Sequence, residues 1–101
     1  MLDRSLYTGL IRLHILHHAA EGPIFGQAMI DELGRHGYRL SAGTLYPILH
    51  GMERQQYLRS RLTLNGGRTR RVYRATPAGR KALTTARKRV QELFGEMFEH
   101  A

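Results

Sequence analysis

Three histidines are the most chemically suggestive group in this 101-residue chain. His14 stands three residues before His17 and four before His18, so all three share one side of a helix. His14 and His18, an i,i+4 pair, have the spacing that chelates zinc or a similar ion. Two imidazoles leave such a site incomplete, and a ligand from another helix or subunit has to finish it. The alternative is a set of partly buried histidines near an interface. Cysteine is absent, which removes disulfides, thiolate metal sites and thiol nucleophiles together and fits a reducing, cytoplasmic setting. The eight acidic residues are few and scattered. No glycine-rich phosphate loop and no Ser/His/Asp arrangement after a strand-turn-helix is present, so an enzyme is not expected.

Arginine is the other abundant chemistry. Sixteen Lys and Arg face eight Asp and Glu, a net charge of +8. No acidic residue lies between Glu53 and Glu92, while twelve basic residues do, so that stretch carries +12 against −4 for the remainder. Twelve like charges with no counter-charge form an electrostatic footprint suited to a polyanion, although any charge run can also be a solvated face. The chain is 42% apolar, enough for one packed core and too much for a disordered basic tail. Its apolar runs are short, so neither a membrane span nor a secretory segment is expected.

Residues 4–20 read as a helix with two apolar faces, Leu6, Leu10, Leu13, Leu16 and Ala20 on one, Tyr7, Ile11 and Ile15 on the other, with Arg12 in water. Glu21-Gly22-Pro23 breaks it. A second helix over 25–36 turns Met29, Ile30 and Leu33 inward and ends at Gly37. After the short turn Tyr38-Arg39-Leu40, Ser41 caps a third helix whose core stripe is Leu45, Ile48, Leu49 and Met52. Two helices around a tight turn form a helix-turn-helix. Residues 57–64 and 68–75 alternate about Asn65-Gly66-Gly67 as an arginine-rich hairpin, a wing in which Tyr73 belongs to the core. Thr76-Pro77 starts the last helix, where Leu83, Ala86, Val90, Leu93 and Met97 form a heptad seam widened by Phe94 and Phe98. Such a seam meets a second copy or packs on the first helix. The fold class is mainly α (α+β): a winged helix-turn-helix over 1–75 and a C-terminal dimerisation helix over 76–101.

The run SAGTLYPILHGME at 41–53, the hairpin after it, and RRVYRATPAG at 70–79 together resemble the PadR family of bacterial transcriptional regulators. EGPIFGQAMIDEL at 21–33 is similar to the family's second-helix region. The short C-terminal part resembles its compact subgroup, with a single C-terminal helix. The likeness runs from about Leu10 to Leu83. One departure is Gln56, where the family usually has Gly; a positive φ there adds about 1 kcal/mol of strain.

Ser41, Ala42, Gly43, Thr44, Tyr46 and His50 are the recognition-helix candidates for DNA, with Arg39 beside them in the turn. Tyr46 either reaches a phosphate or packs beneath the wing; the resemblance implies that it is DNA-proximal. Pro47 should bend the helix or cost it a bond to Gly43. Arg61, Arg68, Arg70 and Arg71 are candidates for phosphate or minor-groove contact. Leu6, Leu10, Leu83, Ala86, Val90, Leu93, Phe94, Met97 and Phe98 are the expected dimer contacts. The resemblance implies a small-molecule effector between the first and last helices, with Tyr7, Ile11, Phe94 and Phe98 as its lining. The expected function is a dimeric, sequence-specific DNA-binding repressor on a pseudo-palindromic operator, read by residues 41–54 and the wing. A metal-responsive regulator using His14 and His18, or a winged-helix protein-interaction module, are the alternatives.

Overall fold

The computed structural model describes residues 3–99; positions 1, 2, 100 and 101, the outer ends of the two expected domains, lie outside it. The elements run α1 (Arg4–Glu21), β1 (Ile24–Phe25), α2 (Gly26–Arg35), α3 (Ala42–Arg54), β2 (Leu58–Asn65), β3 (Arg68–Ala75) and α4 (Pro77–Phe94). A π-helical turn, Gly95–Glu99, continues α4. The sheet is antiparallel with order β1-β3-β2. The expected architecture is therefore present, with one addition. The two-residue β1 pairs Ile24 with Tyr73 and Phe25 with Val72, and so sews the start of α2 to the root of the wing. Two residues carry no periodicity, which is why the sequence does not announce them.

One core joins every layer. Ile11, Ile15, Leu16 and Ala19 of α1 meet Met29 and Leu33 of α2, Leu45, Leu49 and Met52 of α3, and Leu58, Tyr73 and Ala75 of the sheet. Tyr73 is fully buried, and among the described residues its hydroxyl meets no hydrogen-bond partner. Burial pushes its phenol above the usual tyrosine range, and the nearby Glu53 carboxylate adds to this. Leu83 is also buried, at 8% exposure, inside its own subunit. It belongs to the core and is not the first contact of an intersubunit seam. Arg12 differs as well: it is half-buried, and its guanidinium donates to the Gln55 side chain at the end of α3.

Both helices of the helix-turn-helix end in the same backbone motif. After α2, Gly37 takes φ +89°, its N–H bonds the Gly34 carbonyl and the Tyr38 N–H bonds that of Leu33. After α3, Gln56 sits at φ +67°, its N–H on the Glu53 carbonyl and the Tyr57 N–H on that of Met52. These are Schellman closures, which need a left-handed residue just past the helix. Gly37 adopts it freely; Gln56 does so against its Cβ.

That second closure presents two carbonyls to the start of α4. The Thr76 hydroxyl donates to Gln56 O at 2.5 Å and its N–H to Tyr57 O at 3.0 Å. The same hydroxyl accepts the Gly79 N–H at 2.9 Å, capping α4. Gly79 then lies so close that a Cβ there would stand 2.2 Å from the Tyr57 carbonyl oxygen. Two outcomes are expected in urea unfolding. Gln56→Gly raises stability by about 1 kcal/mol by relieving the left-handed strain. Gly79→Ala lowers it by about 2 kcal/mol, since backbone cannot step aside, whereas Gly34→Ala, with nothing within 4 Å, is neutral to mildly stabilising.

Candidate nucleic-acid interface

The exposed side of α3 is small and nearly uncharged. Ser41, Ala42, Gly43, Thr44, Pro47 and His50 are all exposed, while Leu45, Leu49 and Met52 hold the opposite side in the core. Ser41 has the extended backbone of an N-cap, yet its hydroxyl makes no cap bond and lies 3.4 Å from the Thr44 hydroxyl. The first-turn N–H groups thus keep the polarity that draws anions to a helix N-terminus. Pro47 leaves α3 unbroken from Ala42 to Arg54. Its tolerance has a simple cause: the carbonyl it deprives of a partner belongs to the exposed Gly43, where water is at hand. Tyr46 is half-buried, and its ring and hydroxyl fill the space over Gly26, where a Cβ would stand 2.2 Å from that oxygen. It packs on the first residue of α2, which neither sequence reading of Tyr46 anticipates.

The wing divides its arginines by face. The hairpin turns on Gly66 and Gly67, both at positive φ, with Asn65 and Arg68 already paired in the ladder. The two turn residues are therefore Gly66 and Gly67, the primed type, and Asn65, expected within the turn, is the last residue of β2. The register sets Arg59 opposite Arg74, Arg61 opposite Val72 and Thr63 opposite Arg70. Side chains alternate along a strand, so Arg59, Arg61, Arg68, Arg70 and Arg74 share one face. Arg71 is on the other. There its guanidinium donates to the Ser60 hydroxyl at 3.0 Å, and Ser60 donates N–H and O–H to the Glu53 carboxylate at 3.1 and 2.8 Å. Arg71 is thus separated from Arg61, Arg68 and Arg70, and its hydroxyl partner ties the wing to the end of α3. Arg59 and Arg74 were missed; counting alternate residues through a correctly placed turn finds them. Arg70 also stacks over the Phe25 ring, 5.8 Å from its centre. Arg39 is exposed in the turn before α3.

The expected effector residues do not converge within one chain. Tyr7 and Ile11 border a cavity of about 650 Å³ with Tyr38, Leu40, Thr44 and Ile48. Phe94 borders a different groove of about 630 Å³ between α1 and α4, with Leu10, His14 and Val90; Phe98 packs on Phe94 at 5.0 Å. Beyond the buried Leu83 and the half-buried Ala86, the seam is bare: Val90, Leu93, Phe94, Met97 and Phe98 are 49–68% exposed, as is Leu6 at 65%, with Leu10 at 43%.

The histidines are regrouped too. The His14 and His18 rings lie nearly parallel with centres 6.4 Å apart, and His14 lies 4.8 Å from the His36 ring. The donor atoms that come together belong to His17, His18 and Glu21, all within 4.8 Å of one another. His14 is not in that set, since its ring is occupied by packing on His36 and Tyr38. Glu32 accepts from Arg35 and His36, and these bonds hold its carboxyl below the ordinary carboxylate range.

A helix-turn-helix whose second helix is nearly uncharged on its exposed side, an arginine-bearing wing and a core shared among the elements define a winged-helix architecture. The comparisons give its family. A model of the transcriptional regulator PadR-like family matches residues 15–85, and the chain belongs to that family. The transcriptional regulator Rv3488 of Mycobacterium tuberculosis is 52% identical over 94 residues, 93% of this chain and 88% of that one. A PadR family transcriptional regulator from Eggerthella lenta superposes with a TM-score of 0.77 at 29% identity, covering 96% of this chain and 88% of that chain. Bacillus subtilis PadR, crystallised with operator DNA, shares the fold at a TM-score of 0.65 and 19% identity, over 75% of this chain and 45% of its own. The family is one of regulators, not enzymes. Among the described residues, no helix is long and apolar enough to cross a membrane.

His14 yields a pH prediction. Burial first, then His36 and His18, keep it below the usual imidazole value of 6.5. The unfolded chain therefore takes up the proton more readily. The stability linked to His14 is complete above about pH 6.5 and is lost as pH falls through that value towards the folded-state pKa. Urea midpoints measured from pH 7.5 to 5.5 should decline, and His14→Asn should flatten the decline.

Proposed function

We propose that the chain acts as a dimeric, sequence-specific DNA-binding repressor in the bacterial cytoplasm, controlled by a small molecule. The carrying observation is a face of five arginines on the wing, in the same unit as an α3 whose exposed residues from Ala42 to His50 carry no acidic or basic group other than the imidazole of His50. Arg59 and Arg74 stand directly opposite in the ladder, where like charges repel. A polyanion relieves that repulsion and releases its own counter-ions. In this reading Ser41, Ala42, Gly43, Thr44 and His50 face base edges and nearby phosphates, with Arg39 alongside. Arg61, Arg68 and Arg70, joined by Arg59 and Arg74, hold the backbone. Arg71 and Tyr46 act chiefly by fixing the wing and α2 relative to α3. The operator complex of the Bacillus subtilis relative supports DNA as the polyanion.

The bare apolar run from Val90 to Phe98, with Leu6 and Leu10, supports a second copy as its cover. Two α3 helices then meet successive major grooves about 34 Å apart on a pseudo-palindromic site. The groove containing Leu10 and Phe94 lies against that surface and is the place for an effector, which acts by favouring one spacing of the two α3 helices.

Binding to the DNA upstream of the protein's own gene, measured against random duplex over a salt series, tests the proposal. Preference for that DNA and a steep loss of affinity with salt are expected. Arg68→Ala weakens all duplexes alike and lowers the salt slope by about 1, whereas Thr44→Ala changes the preference among bases by about 1–3 kcal/mol. Equal binding to every duplex sinks the specific-regulator reading. Absence of binding to any duplex leaves a winged-helix module that docks an acidic protein.

A further inference from the structure

We propose that the last turn of α1 and Glu32 of α2 form a site for a divalent transition-metal ion of the zinc type, with His17, His18 and Glu21 as ligands and Glu32 as the fourth. The placement comes from helix geometry. Glu21 follows His17 by four residues and His18 by three, so its carboxylate hangs between the two rings. Their donor atoms already lie within 4.8 Å of one another. Two separations match a metal better than a hydrogen bond. His17 Nε2 is 3.6 Å from a Glu21 oxygen, and His18 Nε2 is 3.5 Å from Glu32 Oε2. A good N–H···O bond is shorter, as His36 shows at 2.9 Å from that same Glu32 oxygen. Two ligands of one tetrahedral zinc, each about 2.0–2.1 Å from it, stand about 3.4 Å apart.

The electrostatics agree. Two carboxylates and the negative end of the α1 dipole converge here against one cation, Arg35, which is paired with the other oxygen of Glu32 and leaves Oε2 to the site. An open groove of about 370 Å³, bordered by His18, Glu21 and Glu32, gives an ion access. Two imidazoles with two carboxylates suit zinc and its neighbours, whereas magnesium and calcium prefer oxygen alone. Ligation by Glu32 draws its Oε2 away from His36, the residue that closes α2 ahead of the turn into α3. An ion here would therefore bear on the pose of the reading helix. That consequence rests on the regulatory reading; the binding itself does not.

Isothermal titration of zinc into the tag-free full chain, without DNA, decides the matter. One ion per chain is expected, with magnesium silent. His17→Ala and Glu21→Gln, both at exposed side chains (48% and 66%), should each lower the affinity by roughly tenfold or more, a loss that even outer-shell partners can cause. His14→Ala should leave affinity unchanged. Circular dichroism confirms that each variant folds. No heat with zinc, equal affinity for magnesium, or a loss in His14→Ala with none in His17→Ala each overturns the site. None of these results bears on DNA binding, which the operator assay reads separately.

Discussion

The carbonyls of Gln56 and Tyr57 hold three parts of the molecule together. They exist in that orientation because α3 closes through a left-handed residue, and they are taken at once by the hydroxyl and N–H of Thr76. The third helix α3, the first wing strand and α4 therefore share one joint of a few residues. Gly79 completes it by letting the first turn of α4 rest on the Tyr57 carbonyl, with Leu16 of α1 behind. A change in the angle of α4 would bear on the end of α3 through the Thr76 N–H and its short hydroxyl, with no long side chain to absorb it. Bonds of this kind are worth about 1 kcal/mol each when intact, and more is lost when one partner is left buried alone.

In the proposed reading, affinity and discrimination are divided between elements. The wing supplies charge at fixed spacing on a twisted ribbon, and the exposed side of α3 supplies hydroxyls, backbone N–H groups and little else. Glu53 gives the two a common frame. It leaves α3, accepts both donors of Ser60, and through that hydroxyl fixes Arg71. Its carboxylate is thus used for alignment and does not offset the arginine face opposite. A displacement of Glu53 would tilt the wing against α3 through the Ser60 bonds.

Much of this was legible in the sequence because the relevant signals are local. Gly37 and Thr76-Pro77 mark helix ends by their own chemistry, Ser41 holds the N-cap position by backbone alone, and the stripe of Leu45, Leu49 and Met52 marks the buried side of α3. Gln56 stood out as a non-glycine where the resemblance implied glycine, and its φ is indeed positive. What escaped was set by tertiary pairing. β1 exists only because β3 offers an edge. Which of Arg70 and Arg71 shares a face with Arg59 and Arg61 is decided only when the turn falls on Gly66-Gly67. Arg12 reaches a residue 43 positions away, and Leu83 reads as seam or core until α1 is in place. The histidines follow the same rule: helical spacing located the cluster, but the packing of His14 on His36 and Tyr38 determines which donor atoms are left to converge.

The two-glycine turn of the wing has a consequence for how this sequence can vary in length. The ladder from Leu58–Ala75 to Asn65–Arg68 has a period of two, so inserting or deleting one residue in either strand exchanges its faces beyond that point. In β3 such a slip near the tip would turn Arg68 and Arg70 to the side of Leu62 and Leu64, leaving Arg71 among the cations. Related chains that keep this recognition mode should therefore change wing length two residues at a time, in matched pairs across the hairpin, or else lengthen the loop outside the ladder. Point substitutions at the tip are gentle by comparison; a one-residue slip in the pleat inverts the charge pattern of its strand from that point on.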